Sequence, residues 1–290
     1  MKKINEAEAK AMISLLDDPS EAIYEQVKDN LKKAGAEIMP LLQTAYDESN
    51  NDLQKHRLKA LINSVRLRKL KKEIDGWKNL KSDDLLEGIL IIARYAYPGL
   101  DVDAVKHFIS KMEKEVAEMI KNKSGAEAVE AMNEVILHKY GFSGNTEDYS
   151  GVQNSYINKV IENKMGNPIM LCVLYLLVAR RLNIPLIGIN SPRHFVLAFI
   201  NDKEDVADIT GNEMDKIGFF VDPFHQGTTY SEADFIKMLK SVEFYDIYKK
   251  ALPASNITII KRVLNNVIYA IHQEGKENRA KNLLRIAESL

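Results

Sequence analysis

The chain has one cysteine, Cys172, and one tryptophan, Trp77, in 290 residues. A lone cysteine excludes an internal disulfide framework. Stability must then come from ordinary core packing, and a reducing, cytoplasmic setting is the expectation. With no cysteine pairs and only six histidines, a structural zinc site is not expected, and no motif calls for a cofactor. Neither sign of charge dominates. The 40 basic residues against 41 acidic leave a net charge of −1, which argues against nucleic acid or a membrane surface as partner. The opening "MKKINEAEAKAM" lacks the apolar stretch of a secretory signal. Long hydrophobic runs are missing too. The longest, "PIMLCVLYLLVA", is too short to span a bilayer, ends in Arg180-Arg181, and reads as a buried core helix.

What is present is the composition of a globular protein of one to three domains, 46% hydrophobic and 28% charged. Residues 6 to 77 are helical in pattern. "LLDDPSEAIYEQVKDNLKKAG" carries Asp18 as a candidate cap, Pro19 in the first turn and Gly35 at the end. This stretch resembles one HEAT repeat, and short antiparallel helices of this kind suit an α-solenoid. In residues 55–72 the many Lys and Arg flank Leu58, Leu61, Ile62, Val65 and Leu70 at helical spacing, without interleaved aromatics. The basic residues, Arg57 among them, therefore read as solvated faces of an amphipathic helix rather than as a nucleic-acid patch.

Two further helices follow in "SDDLLEGILIIARYAYPGLDVDAVKHFISKMEKEVAEMI", the first opened by Ser82 and the second set off by Pro98-Gly99. "EAVEAMNEVILHKYGF" is another. The polar loop "SGNTEDYSGVQNS" leads to Asn154 or Ser155 as the cap of "YINKVIENKMG". After Asn183 the period changes. "IPLIGIN", "HFVLAFI" and "GFFVDPF" predict short adjacent strands. The tail from "NITIIKRV" is a helical hairpin turning at Gly275. The fold class is α+β: mostly helical, with one central helix packed on a small antiparallel sheet. Three segments are expected: 1–78 helical, 79–250 the core, and 251–290 the helical hairpin.

One constellation carries chemistry. Thiol hydrolases and acyl transferases place a cysteine at a helix N-terminus, a histidine on a neighbouring strand and a carboxylate or amide that orients it. The chain supplies the helix start Gly166-Asn167-Pro168, Cys172 within that helix, His194 at the start of a strand and Asp222 at the end of another. The order Cys, His, Asp is the transglutaminase order.

"NSYINKVIENKMGNPIMLCVLYLLVARRLNIPLIGINSPRHFVLAFI", with "LLEGILIIARYAYPGLDVDA" before it and "FVDPFHQGTTYSEADF" after it, resembles the SirB-type branch of the transglutaminase-like superfamily over about residues 80–245. The resemblance implies a papain-like core with helical additions and carries the family's His and Asp motifs to His194 and Asp222. It also implies a departure. Counted back from Asn183-Ile184-Pro185, the family's nucleophile position falls on Pro168. Proline fits a first helical turn but cannot attack a carbonyl. Cys172 lies one turn deeper, about 6 Å along the axis. There the macrodipole has faded, and apolar neighbours raise a thiol's pKa. A core role for Cys172 is favoured over a shifted nucleophile.

The remaining candidates each have two readings. His194 is either a proton carrier or a satisfied strand-start histidine. Asp222 either orients His194 or makes an Asx turn before Pro223, and His225 is a weaker candidate for the same pocket. Arg193 either binds a carboxylate or is solvated. Asn154, Ser155 and Tyr156 match the family's Asn-Ser-Tyr signature and are expected, with Asn167 and Pro168, to line the cleft. The first functional reading is a transglutaminase-like protein without a working nucleophile that binds a protein or peptide partner in the cleft or on its helices. The tail is then a tetratricopeptide-like remnant. The alternative is an amide or acyl hydrolase or transferase that uses Cys172, or water activated by His194, with Asp222 orienting His194.

Overall fold

The computed structural model describes residues 4–123, 125–191, 194–201, 216–240 and 252–290. The chain divides into two units, residues 1–76 and 77–290. The first is built from α1 (Glu6–Ser14), α2 (Glu21–Ala34), α3 (Met39–Glu48) and the long α4 (Asp52–Leu80), within which the division falls. A reciprocal box between Asn5 and Glu8 starts α1. The cap of α2 is Ser20, not Asp18: the Asp18 carboxylate instead accepts from the Ser20 N–H at 2.7 Å, and Pro19 precedes the helix. Gly35 closes α2 with φ +74°, a conformation that costs a side-chain-bearing residue energy. Leu16, Leu31, Leu42, Leu58, Leu61 and Val65 form this unit's own core.

Arg57 corrects the expectation of a solvated basic face. It is buried, donates Nη1 to the Leu16 and Asp18 carbonyls at 3.3 and 2.5 Å, and lies 4.2 Å from the Tyr24 ring centre. Those carbonyls lie where the chain turns into α2, and a guanidinium reaches them while its stem stays apolar.

The second unit opens with α5 (Leu85–Ala96), α6 (Val102–Met119) and α7 (Ala126–Asn133), which runs into a π-helical turn, Glu134–Lys139. Asp84 caps α5 in place of Ser82, accepting from the Glu87 N–H at 2.9 Å. Then come β1 (Ser143–Gly144), a 3₁₀ turn Val152–Ser155, α8 (Ile157–Asn163), β2 (Met165–Gly166) and α9 (Pro168–Arg181). The cap position of α8 is Tyr156, without a side-chain bond, so Asn154 and Ser155 are free for the network described below.

The strands β3 (Leu186–Asn190), β4 (Phe195–Ile200) and β5 (Ile217–Asp222) are followed by β6 (Thr228–Tyr230), α10 (Glu232–Lys240), β7 (Leu252–Pro253), α11 (Asn256–Gln273) and α12 (Glu277–Glu288). The five-stranded sheet has the order β6-β5-β4-β3-β7, antiparallel throughout, with Leu197 opposite Val221 and Asp222 opposite Thr228. Every residue of β4 is buried, so the sheet is covered on both faces there. Phe235 of α10 stacks on Phe220 with centroids 3.9 Å apart and closes a cluster with Ile189, Val196 and Ala198. The helix α9 packs on β3 and β4. It is apolar all round and buried from Pro168 to Ala179, as such a helix must be. No helix among the described residues is long and apolar enough to cross a membrane.

Candidate functional site

The site forms where β5 ends. Asp222 closes that strand, and Pro223–His225 make one 3₁₀ turn after it. The fully buried Asp222 carboxylate uses Oδ1 to accept from the backbone N–H groups of Phe224 and His225, at 3.1 and 3.3 Å. This is the Asx turn, and it orients rather than consumes the carboxylate, because Oδ2 remains for two imidazoles. His194 Nε2 lies 2.6 Å from Oδ2 and His225 Nδ1 lies 2.7 Å from it. Both readings of Asp222 are therefore realised at once. The side chain of His194 is 18% exposed and that of His225 59% exposed, over a carboxylate with none of its surface open. Burial pushes the Asp222 carboxyl up, but the hydrogen bonds and charges of the two imidazoles outweigh it and leave it below the usual carboxylate value.

The turn is held from several sides. Gly227 N–H returns to the Asp222 carbonyl at 2.9 Å, and Thr228 Oγ1 donates to the His225 carbonyl at 2.6 Å. Gln226 and Gly227 both have positive φ, 57° and 71°. A Cβ on Gly227 would also meet Asn133 at 2.5 Å, so the position needs glycine twice over. Asn133, at the end of α7, donates to the Gly227 carbonyl at 3.2 Å and accepts from Tyr175 of α9 at 2.7 Å. On the other side, Arg262 of α11 donates to Asn190 Oδ1 at 2.5 Å and to the Ser191 carbonyl at 2.6 Å, three residues before His194. Neither Asn133 nor Arg262 stands out in the sequence, because each meets the site only through long-range packing. Arg193 lies outside the described residues.

Cys172 is fully buried in α9, and its thiol donates to the Phe195 carbonyl at 3.5 Å. Burial, then the nearby Asp222 charge, raise the thiol pKa well above its ordinary value, with Arg262 opposing. His194 thus has its carboxylate, while the thiol is bonded to backbone and held protonated.

The start of α9 is a separate polar knot. Asn167 caps the helix, accepting from the Met170 N–H at 3.0 Å while Nδ2 donates to Ser155 Oγ at 2.8 Å. Asn154 accepts from Asn145 at 3.0 Å and donates to the Asp148 carbonyl at 2.6 Å. These bonds tie the 143–156 loop to the helix start. Tyr156 is buried and packs edge-on against Tyr97. A cavity of about 60 Å³ at this end is lined by Tyr149, Gly151, Ser155, Asn167, Pro168, Asn266 and Tyr269 among others. The Tyr149 ring also packs edge-on against Phe224, 5.7 Å between centroids, so the loop flanks the histidine turn.

A family model described as the transglutaminase-like superfamily matches residues 103–265, more than half of the chain. A UPF0162 protein of Xylella fastidiosa strain Temecula1 is 38% identical over 130 residues, covering 42% of this chain and 45% of that protein. The chain thus spans under half the length of that relative. F-box only protein 21 of Homo sapiens is 32% identical over 114 residues, 38% of this chain and 17% of that protein. The UPF0162 protein YchA of Escherichia coli K12 is 23% identical over 215 residues, 71% of this chain and 72% of that protein. No solved structure matches the chain.

Proposed function

Because the chain belongs to the transglutaminase-like superfamily, we propose that it is a SirB-type member whose cysteine has left catalysis and whose core binds a protein or peptide partner. The observation that carries this reading is the state of Cys172. A thioester mechanism needs a thiolate at the mouth of a cleft. Here the only thiol is fully buried, bonded to the Phe195 carbonyl and held protonated, and a proline stands at the first position of α9. Two half-exposed tyrosines, Tyr149 and Tyr269, frame the small cavity at that helix start and suit contact with a polypeptide. The N-terminal helices, read as HEAT-like, add a hollow of about 920 Å³ lined by Met12, Ala34, Ile38 and Leu41 with a polar rim. The single free thiol fits a reducing, cytoplasmic compartment.

A peptide library selected on the intact chain tests this reading. Specific ligands should be recovered, their binding should fall at least about tenfold in Tyr149→Ala, and Cys172→Ala should leave it unchanged. Failure to recover any specific ligand, or covalent trapping of a substrate acyl group on Cys172, would overturn it.

The short His194–Asp222 contact supports a second reading, an amide or acyl hydrolase without a thiol. His194 would take a proton from water, the water oxygen would bond to the carbonyl carbon, and the leaving nitrogen or oxygen would depart with that proton. A panel of fluorogenic amides and esters should then give turnover that His194→Ala lowers by about a hundredfold or more and Cys172→Ala does not touch. Absence of turnover across the panel would remove this reading.

A further inference from the structure

We propose that His194, Asp222 and His225 form a binding site for one divalent transition-metal ion of the zinc class. Three donor atoms, His194 Nε2, His225 Nδ1 and Asp222 Oδ2, lie within 4.8 Å of one another. Both ring nitrogens converge on the same carboxylate oxygen, at 2.6 and 2.7 Å. A single His–Asp pair would suffice to orient one base. A second imidazole aimed at that oxygen produces instead two nitrogens and one oxygen, the donor set that holds zinc while leaving a coordination position open.

The surroundings suit an ion. Asp222 Oδ1 is engaged by two backbone N–H groups, so the carboxylate is aimed in advance, as ligating carboxylates are. The turn that carries His225 is fixed by the Gly227 N–H bond to the Asp222 carbonyl and by Asn133. His225 stands 59% exposed, which leaves an open approach from solvent to a donor oxygen that is itself fully buried. Around a tetrahedral ion, ligand atoms sit roughly 3.3 Å apart. The two rings therefore need to draw back from Oδ2 by roughly 0.7 Å and, from a separation of up to 4.8 Å, to close on each other by up to roughly 1.5 Å, movements made by rotating the side-chain torsions. On binding, each ring gives up the proton it points at Oδ2: a neutral ring takes a proton on its opposite nitrogen from solvent as the facing one is released to solvent, and the freed lone pairs of His194 Nε2 and His225 Nδ1 bond to the ion. The anionic carboxylate offsets one of the ion's two charges. Metal capture here neither requires nor excludes a protein partner, and it needs no turnover.

Tag-free chain dialysed against micromolar zinc chloride should retain one zinc per molecule. Substitution with cobalt should give the visible absorption of a low-coordinate nitrogen and oxygen site. His225→Ala should weaken retention by more than about a hundredfold, because loss of even an outer-shell partner costs about 10–100-fold. His138→Ala, a histidine elsewhere in this unit, should leave retention unchanged. His225 is surface-exposed, so its variant is expected to keep the wild-type melting curve. In case it does not, zinc titration of the wild-type chain followed by imidazole NMR provides an independent reading, with both His194 and His225 resonances shifting at one equivalent. Less than stoichiometric zinc, equal retention by His225→Ala in a folded variant, or unmoved His194 and His225 resonances would overturn the proposal.

Discussion

At Cys172 one atom separates two classes of function. A thiol bonded to the Phe195 carbonyl inside an apolar helix contributes packing, so Cys172→Ala should cost about 1 kcal/mol of stability. A chromogenic disulfide reagent should label the native protein no faster than the chain unfolds. Rapid labelling at neutral pH would place the thiol at a surface and reject this account. Asp222 is the opposite case, a buried charge with every lone pair engaged. Asp222→Ala leaves two backbone N–H groups and two ring nitrogens without their acceptor, and a loss on the order of 2–3 kcal/mol is expected in urea unfolding. A loss under 0.5 kcal/mol, about the size of an ordinary surface change, would show that the carboxylate does not organise the turn.

At the scale of the element, α9 depends on its first turn. Asn167 satisfies the Met170 N–H and at the same time holds Ser155, so one side chain both starts the helix and pins the loop that carries Tyr149. Asn167→Ala should lower stability by about 1–2 kcal/mol, read as a lower urea midpoint with an unchanged slope. Asn167→Asp keeps the cap oxygen and should recover part of that loss. No recovery would mean that the Ser155 bond, not the cap, carries the effect. The sheet is less sensitive at its margins: β6 and β7 are three and two residues long and add little to the paired length of β3, β4 and β5.

For the whole molecule, each unit has its own buried cluster. The single tryptophan, Trp77, belongs to the second unit, where it donates to the Asp84 carbonyl at 2.7 Å and packs against Gly88. A fragment of residues 77–290 should keep the blue-shifted emission of a buried indole and unfold cooperatively; emission at the solvent-exposed wavelength would refute independent folding. Alkali tests the second unit's interior. Burial raises the phenols of Tyr156 and Tyr175, opposed at Tyr156 by the Arg279 charge and reinforced at Tyr175 by Cys172. Burial and a bond to Glu115 push Tyr140 up to about 12. Groups raised in the folded state contribute stability that is complete below their unfolded value of about 10 and is lost as pH rises beyond it. Absorbance titration should therefore show a set of tyrosines that ionise only as the far-ultraviolet dichroism collapses. Reversible titration of all twelve near pH 10, with dichroism intact, would contradict this.

Local pattern alone was enough for much of the protein. The change of period after Asn183 marks β3, β4 and β5, the apolar run marks α9, and the order Cys172, His194, Asp222 points to the strands that meet. These signals are legible because side-chain periodicity and strand composition are properties of neighbouring residues. Cap positions were less legible. Ser20 and Asp84 took the places expected of Asp18 and Ser82, since several polar residues in a row can each cap and packing of the following turn selects among them. What only the tertiary structure decided is the chemistry at the end of β5. His225 joins Asp222 because Gln226 and Gly227 turn left-handed beneath Asn133. Arg262 reaches Ser191 from a helix about seventy residues further along the chain. Cys172 turns its thiol to the backbone of a strand formed later in the sequence. Each is a contact between distant parts of the chain, set by how helices and sheet close on one another, and no window of neighbouring residues contains that information.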